Sequence, residues 1–280
     1  MLSWEQREEF DRLGMLRVPG AIARPDVQQM CDCLWDALRR RYGIRRDARE
    51  TWGARRIAGT HDLRRSTTLD RIGSPAVRGA LDDLLGDGGW QPPQRWGSLL
   101  VTFPQSGDRW DVPHQSWHLD FPASRSLQGL FAVRLFTCLA ELKPAGGGTV
   151  FVAGSHRLVE NLLRNEGVEK LRSADARKAL IRTCSWVRRL CSFDERIDRL
   201  QEFMKDDAVF DGIRIRVVEM TGEPGDVWLT HPLMLHAAAK NCAEAPRLVL
   251  SSIVHRSEVS LSEIYQSSGT AETRSRQMSI

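Results

Sequence analysis

Gly146-Gly147-Gly148-Thr149-Val150-Phe151-Val152-Ala153-Gly154-Ser155-His156-Arg157 is a glycine turn, a short run of strand-like composition and a second glycine turn. β-Branched and aromatic residues bounded by glycine are a strand signal. Outward in both directions the pattern repeats. Residues 96–103, 130–139, 213–220, 227–229 and 248–254 are further short segments of strand composition, separated by Gly, Pro and Asp turns. An all-β core is expected.

Before residue 96 the period is helical. Ser3 followed by Gln6 is a capping-box pattern, Phe10 and Leu13 share a helical face, and Gly14 closes the segment. Residues 15–18 suit a short strand. Pro25 starts a second helix with Val27, Met30, Leu34 and Leu38 at helical spacing, and the arginine-rich residues 39–56 read as a solvated loop. Ser74-Pro75 opens a third helix carrying Val77, Leu81, Leu84 and Leu85, which Gly86 stops. An insert at about 158–211, with helical periodicity near 161–168 and 188–203, is expected to cap the barrel as a helical lid. The expected organisation is one domain over 1–280: a mainly helical flank (1–95), a core (96–256) holding the insert, and a tail (257–280) with little to bury.

Composition excludes several classes of function. With 41% apolar and 27% charged residues, the 280-residue chain resembles a soluble globular protein with a sizeable core. Forty basic against 36 acidic residues, a formal charge of +4 spread along the chain, suggest neither a nucleic-acid nor a membrane partner. The charged start and the lack of an apolar run of about 18 residues point to a cytoplasmic protein. Six cysteines without a CxxC pair are expected to be reduced structural thiols.

The chemistry centres on Ser116-Trp117-His118-Leu119-Asp120. In an extended chain, side chains two apart share a face, so His118 and Asp120 project together while Leu119 packs behind. An imidazole and a carboxylate side by side supply two ligands for a mid-series divalent metal, and His236, after the turn and strand Gly225-Asp226-Val227-Trp228-Leu229, is the candidate third. Two histidines and one carboxylate on one face leave coordination positions open, the arrangement of non-haem iron oxygenases. In Pro246-Arg247-Leu248-Val249-Leu250-Ser251-Ser252-Ile253 an otherwise apolar or small strand begins with arginine, whose planar fork suits a bidentate grip on a carboxylate.

These blocks occur in one order: His118-Leu119-Asp120, the stretch from Gly146 to Arg157, Gly225-Asp226-Val227-Trp228-Leu229-Thr230-His231-Pro232, His236 and Arg247. Over roughly residues 96–256 the chain resembles the phytanoyl-CoA dioxygenase family. The resemblance implies a double-stranded β-helix, or jelly roll, flanked by helices, with iron held by His118, Asp120 and His236. It also implies 2-oxoglutarate as co-substrate, its far carboxylate on Arg247. Thr149, in the strand after the triple glycine, and Gln105 and Thr102, upstream of His118, are candidate further contacts to it, against the plainer reading of ordinary strand or turn positions. Dioxygen would drive decarboxylation to succinate and hydroxylation of an unactivated C–H bond in a small-molecule or lipid-like metabolite. Asp120 separates the chain from related halogenases, which carry a small residue there.

The competing class is a catalytically silent jelly-roll protein that binds a metal or ligand without turnover, and the intact ligands with Arg247 weigh against it. A zinc hydrolase ranks lower, because no HExxH-like helix offers a general base. His156 is read as structural, and His114 and His231 as turn or substrate-facing residues. Trp228 is read as core; Trp110, Trp117 and Phe121 are possible walls of a substrate pocket. Arg164, Arg182, Arg188 and Arg189 in the insert hint at an anionic substrate, against the plainer reading of a solvated charged face.

Overall fold

The computed structural model describes residues 1–53, 57, 66–105, 107, 109–124, 127, 129–165, 167 and 169–259. Helix α1 (Trp4–Leu13) starts where the Ser3 side chain accepts from the Gln6 N–H while Gln6 reaches back to the Ser3 N–H. It stops at Gly14, which lies in the left-handed region at φ 74°, and strand β1 (Met15–Val18) follows at once. Helix α2 (Arg24–Tyr42) carries Pro25 in its first turn and buries Val27, Met30, Leu34 and Leu38. It continues through the arginines expected to be loop: Arg39, Arg40 and Arg41 form its last turn, where cations meet the C-terminal carbonyl dipoles, and Gly43 ends it. The loop therefore begins at Gly43, and residues 54–56 lie outside the described residues. Helix α3 (Pro75–Leu85) is capped by Ser74 and ends at Gly86.

The remaining elements are β2 (Ser98–Thr102), β3 (Ala123–Ser124), β4 (Ala132–Cys138), β5 (Thr149–Ala153), α4 (Ser155–Asn165), β6 (Lys170–Leu171), α5 (Ser173–Thr183) and α6 (Ser185–Leu190). After a π-helical turn at Gln201–Lys205 come β7 (Ala208–Phe210), β8 (Ile213–Glu219), β9 (Val227–Thr230), β10 (His236–Ala238) and β11 (Arg247–His255). One sheet has the order β1-β9-β4-β11-β2, a second β10-β5-β8-β7, and β3 and β6 form a separate ribbon; every pairing is antiparallel. This is the expected jelly roll with flanking helices.

Register decides what each strand shows to the interior. Phe136 lies opposite Trp228 and Ser251, Val249 opposite Cys138 and Leu100, and Phe151 opposite His236 and Val218. Those apolar side chains form the cluster between the two sheets, with Met220. The opposite parity of the first sheet, Val133, Leu135, Leu229, Leu248 and Leu250, packs with Met30, Leu34, Leu38 and Leu81 of α2 and α3. The opposite parity of the second, Val150, Val152, Ile215 and Val217, packs with Leu158, Val159, Leu162, Leu180 and Val187 of the insert. Strands β5 and β9 are buried along their whole length, which is why they read as continuous apolar runs and not as alternating ones.

The insert departs from its expected role. Its helices α4, α5 and α6 chiefly back the outer face of the second sheet, while β6 pairs with β3 just after Asp120, α4 packs against β3, and Arg199 bonds the segment leading into His118. Periodicity placed helices at 161–168 and 188–203; instead α4 starts directly at Ser155, and α5 occupies 173–183. The buried positions of α5 are Ala176, Ala179 and Leu180, too small and sparse to make a strong apolar stripe. Most of the tail expected from residue 257, from 260 onward, lies outside the described residues. Among the described residues no helix is long and apolar enough to cross a membrane.

Candidate metal centre

Around residue 118 the chain alternates as an extended segment should. Trp117, Leu119 and Phe121 are buried in the cluster beneath the insert, while His118 and Asp120 point the other way. An isolated antiparallel bridge joins His118 to His236: each backbone N–H donates to the other's carbonyl, at 2.9 and 3.0 Å. That bridge brings the two rings to 4.2 Å between centroids. The Asp120 carboxylate lies 3.7 Å from His118 Nε2 and 3.4 Å from His236 Nε2. One ligand atom from each of the three residues lies within 4.8 Å of the others.

Backbone carbonyls orient both rings. His118 Nδ1 lies 2.8 Å from the Ser116 carbonyl and His236 Nδ1 lies 3.0 Å from the Met234 carbonyl, so in the neutral rings Nδ1 carries the proton and donates. The Nε2 lone pairs are left facing Asp120, the tautomer a metal ligand needs. Ser116 holds its carbonyl in place from the left-handed region, at φ 64°, an uncommon conformation for a residue with a side chain. Burial pushes both imidazoles below their usual range. For His118 the Arg134 and Arg177 charges add to that effect against the Ser116 carbonyl; for His236 the neighbouring His118 and Arg134 add to it. His236 is buried and His118 is half exposed, so the centre opens on the His118 side.

Arg134 was missed in the sequence. It sits on the interior parity of β4, opposite Thr230 and Ile253, and forms an ion pair with Asp120. Its Nε donates to Ser251 Oγ at 3.0 Å, and its guanidinium lies 5.0 Å from the Phe136 ring centroid. The usable signal was a cation inside an apolar strand, the same one that singled out Arg247.

Arg247 is buried at the start of β11, opposite Thr102. Its Nη1 donates to the Gly147 carbonyl at 2.7 Å and its Nε has no partner; burial lowers its pKa to about 10. No carboxylate pairs with it among the described residues. Gly147 can lie this close because it has φ 77° and no Cβ; a Cβ there would stand 2.8 Å from Asn241. Asn241, fully buried and also missed, ties this corner together. Its Nδ2 donates to the carbonyls of Thr102 and Ala245, and its own carbonyl accepts from the Gln105 N–H.

Of the other co-substrate candidates, Thr149 is buried on the interior parity of β5, two residues after the glycine that holds Arg247. Thr102 is half-buried and faces the same space through its register with Arg247. Gln105 is exposed, past the end of β2, and is anchored by its backbone.

His156, His231, Trp117, Phe121 and Trp228 serve the fold. His156 and His231 lie ring to ring at 4.8 Å and dock the N-terminal segment: His156 Nε2 meets the Asp11 carbonyl at 3.1 Å, and the His231 N–H donates to Gly14. His114 packs on Phe193. Trp117 and Phe121 are core beneath the metal strand, not pocket walls, because odd positions there face the insert. Trp228 is interior core, as expected. Asp226 accepts from Arg17 Nε, Gly20 N–H and Glu223 N–H, so that acidic residue braces the turn before β9.

Among solved structures the chain is similar to HygX from Streptomyces hygroscopicus with nickel and 2-oxoglutarate bound, at a TM-score of 0.52 and 16% identity over 93% of this chain and 89% of that one. It is also similar to a non-heme monooxygenase, ThoJ, at 0.51 and 17% identity over 90% and 78% of the two chains. The epimerase SnoN, in complex with Fe3+, alpha ketoglutarate and nogalamycin RO, gives 0.50 and 16% over 90% and 82%. At such identities these likenesses speak for the shared fold. Comparison with curated proteins gives no match. The family model described as Phytanoyl-CoA dioxygenase (PhyH) matches residues 10–249, taking in the N-terminal helices, both sheets and the insert, and the chain belongs to that family.

Proposed function

We propose that this protein is an Fe(II)- and 2-oxoglutarate-dependent oxygenase, with iron on His118, Asp120 and His236 and the far carboxylate of 2-oxoglutarate on Arg247. The observation that carries the reading is the convergence of two imidazole Nε2 atoms and one carboxylate on a side left open to solvent. Neutral imidazoles with a carboxylate suit a ferrous ion. The buried, partly orphaned guanidinium of Arg247 suits an anion, since an uncompensated buried cation is otherwise costly. Solved neighbours that hold iron or nickel with 2-oxoglutarate support the same assignment.

Bound iron would supply oxygen activation coupled to decarboxylation of 2-oxoglutarate to succinate, with hydroxylation of a C–H bond as the outcome. The chain's own residues position the reactants. The Ser116 and Met234 carbonyls keep Nδ1 protonated and Nε2 free. Arg134 holds Asp120 in one orientation and neutralises part of its charge. Phe151 and Trp228 exclude water from the inner side. Thr149 and Thr102 offer hydroxyls along the path to Arg247, and Gln105 is left at the rim.

The test is anaerobic addition of Fe(II) and 2-oxoglutarate to the purified chain. A weak visible charge-transfer band should form, and should be absent from Asp120→Ala and His236→Ala variants that keep the wild-type circular dichroism spectrum. A folded wild-type chain without the band would overturn the reading.

A further inference from the structure

The insert arginines that drew attention in the sequence are engaged inside the chain. Arg188 donates to the carbonyls of Ile181 and Arg182, Arg189 pairs with Glu202, Arg164 meets Asn161, and Arg182 has its own partner. The group that stands out is an acid. Glu219, the last residue of β8, is buried with one carboxylate oxygen unmet, and burial raises its pKa to about 7. A buried carboxyl is costly to keep, so what it touches matters.

It touches the turn that carries Gly147. Glu219 lies opposite Val150 in the ladder between β8 and β5, on the parity that faces away from the space between the sheets. From there its second oxygen accepts from the Ala145 N–H at 3.0 Å, and the Gly148 N–H also favours its charged form. Ala145 lies at φ 63°, a conformation uncommon for a residue with a side chain, and such strain persists only where the surroundings over-determine it. Glu219 holds its N–H from one side, and the Cys242 N–H donates to its carbonyl at 2.8 Å from the other. Two residues on, the Gly147 carbonyl accepts from Arg247 Nη1. Gly148 then passes so close to β8 that a Cβ there would collide with the Met220 carbonyl and stand 3.3 Å from Glu219 Cγ, so the turn is seated directly on that strand. Carboxyl, turn and guanidinium form one continuous chain of contacts.

We propose that Glu219 is a positioning residue for 2-oxoglutarate: by holding the Ala145 N–H it fixes the glycine turn, and through the Gly147 carbonyl it aims the Arg247 guanidinium at the far carboxylate. This deepens the oxygenase reading and rests on it.

The test compares two keto acids by anaerobic calorimetry on the full chain loaded with Fe(II). One is 2-oxoglutarate; the other is 2-oxopentanoate, which has the same keto acid end and carbon chain without the far carboxylate. Wild type should bind 2-oxoglutarate at least about thirtyfold more tightly. Glu219→Met, similar in length but without an acceptor, should weaken 2-oxoglutarate about five- to tenfold, the size of one hydrogen bond, and leave 2-oxopentanoate unchanged. Glu219→Gln, whose amide oxygen accepts from Ala145, should keep most of the wild-type preference. Added to Arg247→Met, Glu219→Met should cost 2-oxoglutarate nothing further, since both act through one guanidinium. Equal weakening of both keto acids, wild-type affinity in Glu219→Met, or an additional loss in the double variant would overturn the proposal. Should Glu219→Met lose the wild-type circular dichroism spectrum, Glu219→Ala carries the same comparison, and a folded Glu219→Gln chain without the preference would overturn the proposal by itself. A wild-type chain that binds Fe(II) but neither keto acid would remove the oxygenase reading, and this inference with it. Wild type that prefers 2-oxoglutarate while Glu219→Met matches it would remove only the positioning role.

Discussion

Arg199 in the insert and Arg247 in the barrel are both buried arginines, and their surroundings differ. Arg199 spends its donors on four backbone carbonyls, those of Val112, Pro113, Leu190 and Ser192, and lies 4.8 Å from the Phe203 ring centroid. It pins the insert to the segment leading into His118, where the Pro113 carbonyl also accepts from the Trp117 indole. Arg247 has one carbonyl partner and an open Nε. Both charges are disfavoured by burial, but only one is satisfied within the chain. A buried cation completed by carbonyls belongs to the architecture, and one left incomplete keeps a donor free for the carboxylate proposed to bind there.

Substituting each arginine should therefore affect stability differently. Arg199→Met should lower the free energy of unfolding by about 3–5 kcal/mol, because it leaves buried carbonyls unpaired; urea unfolding measures this, and a loss below about 1 kcal/mol would break the contrast. Arg247→Met should leave stability unchanged or raise it by about 1 kcal/mol, since it removes an uncompensated buried charge. The same variant should weaken 2-oxoglutarate binding by about 2–3 kcal/mol in anaerobic calorimetry. Unchanged co-substrate affinity would remove Arg247 from the site.

A smaller effect sharpens the picture of the glycine turn beside Arg247. Glu219 accepts from the Ala145 N–H at 3.0 Å, its other oxygen has no partner, and burial raises its pKa from 4.5 to about 7. The native state thus holds this proton more tightly than the unfolded chain, and the stability it lends at low pH is lost as pH rises from about 4.5 through about 7. Glu219→Gln should flatten that slope, gaining about 1 kcal/mol over wild type at pH 8 after allowance for solvent screening, as read from unfolding at pH 5 and pH 8. Parallel pH profiles would show that the carboxyl is already solvated.

Legibility followed the strength of local signals. Ser3, Gly14, Ser74 and Gly86 announce helix ends by chemistry confined to a few residues, and the structure places the ends there. The strands were visible as apolar runs between turns. Helix α5 was not, because its buried face is mostly alanine, and the last turn of α2 was hidden because arginines look like loop until they are set against a helix terminus. Arg134 and Asn241 escaped notice because each acts on groups far away in sequence.

The residues alone determined the β-rich core, the shared face of His118 and Asp120, and the family to which the ordered motifs belong, since each depends on spacing of two or on short contiguous blocks. Tertiary structure decided the rest. The His118–His236 bridge, the pairing of Arg134 with Asp120, and which arginines are satisfied and which stay open all depend on register between strands and on the seating of the insert. Those are long-range contacts, and no local pattern of side chains encodes them.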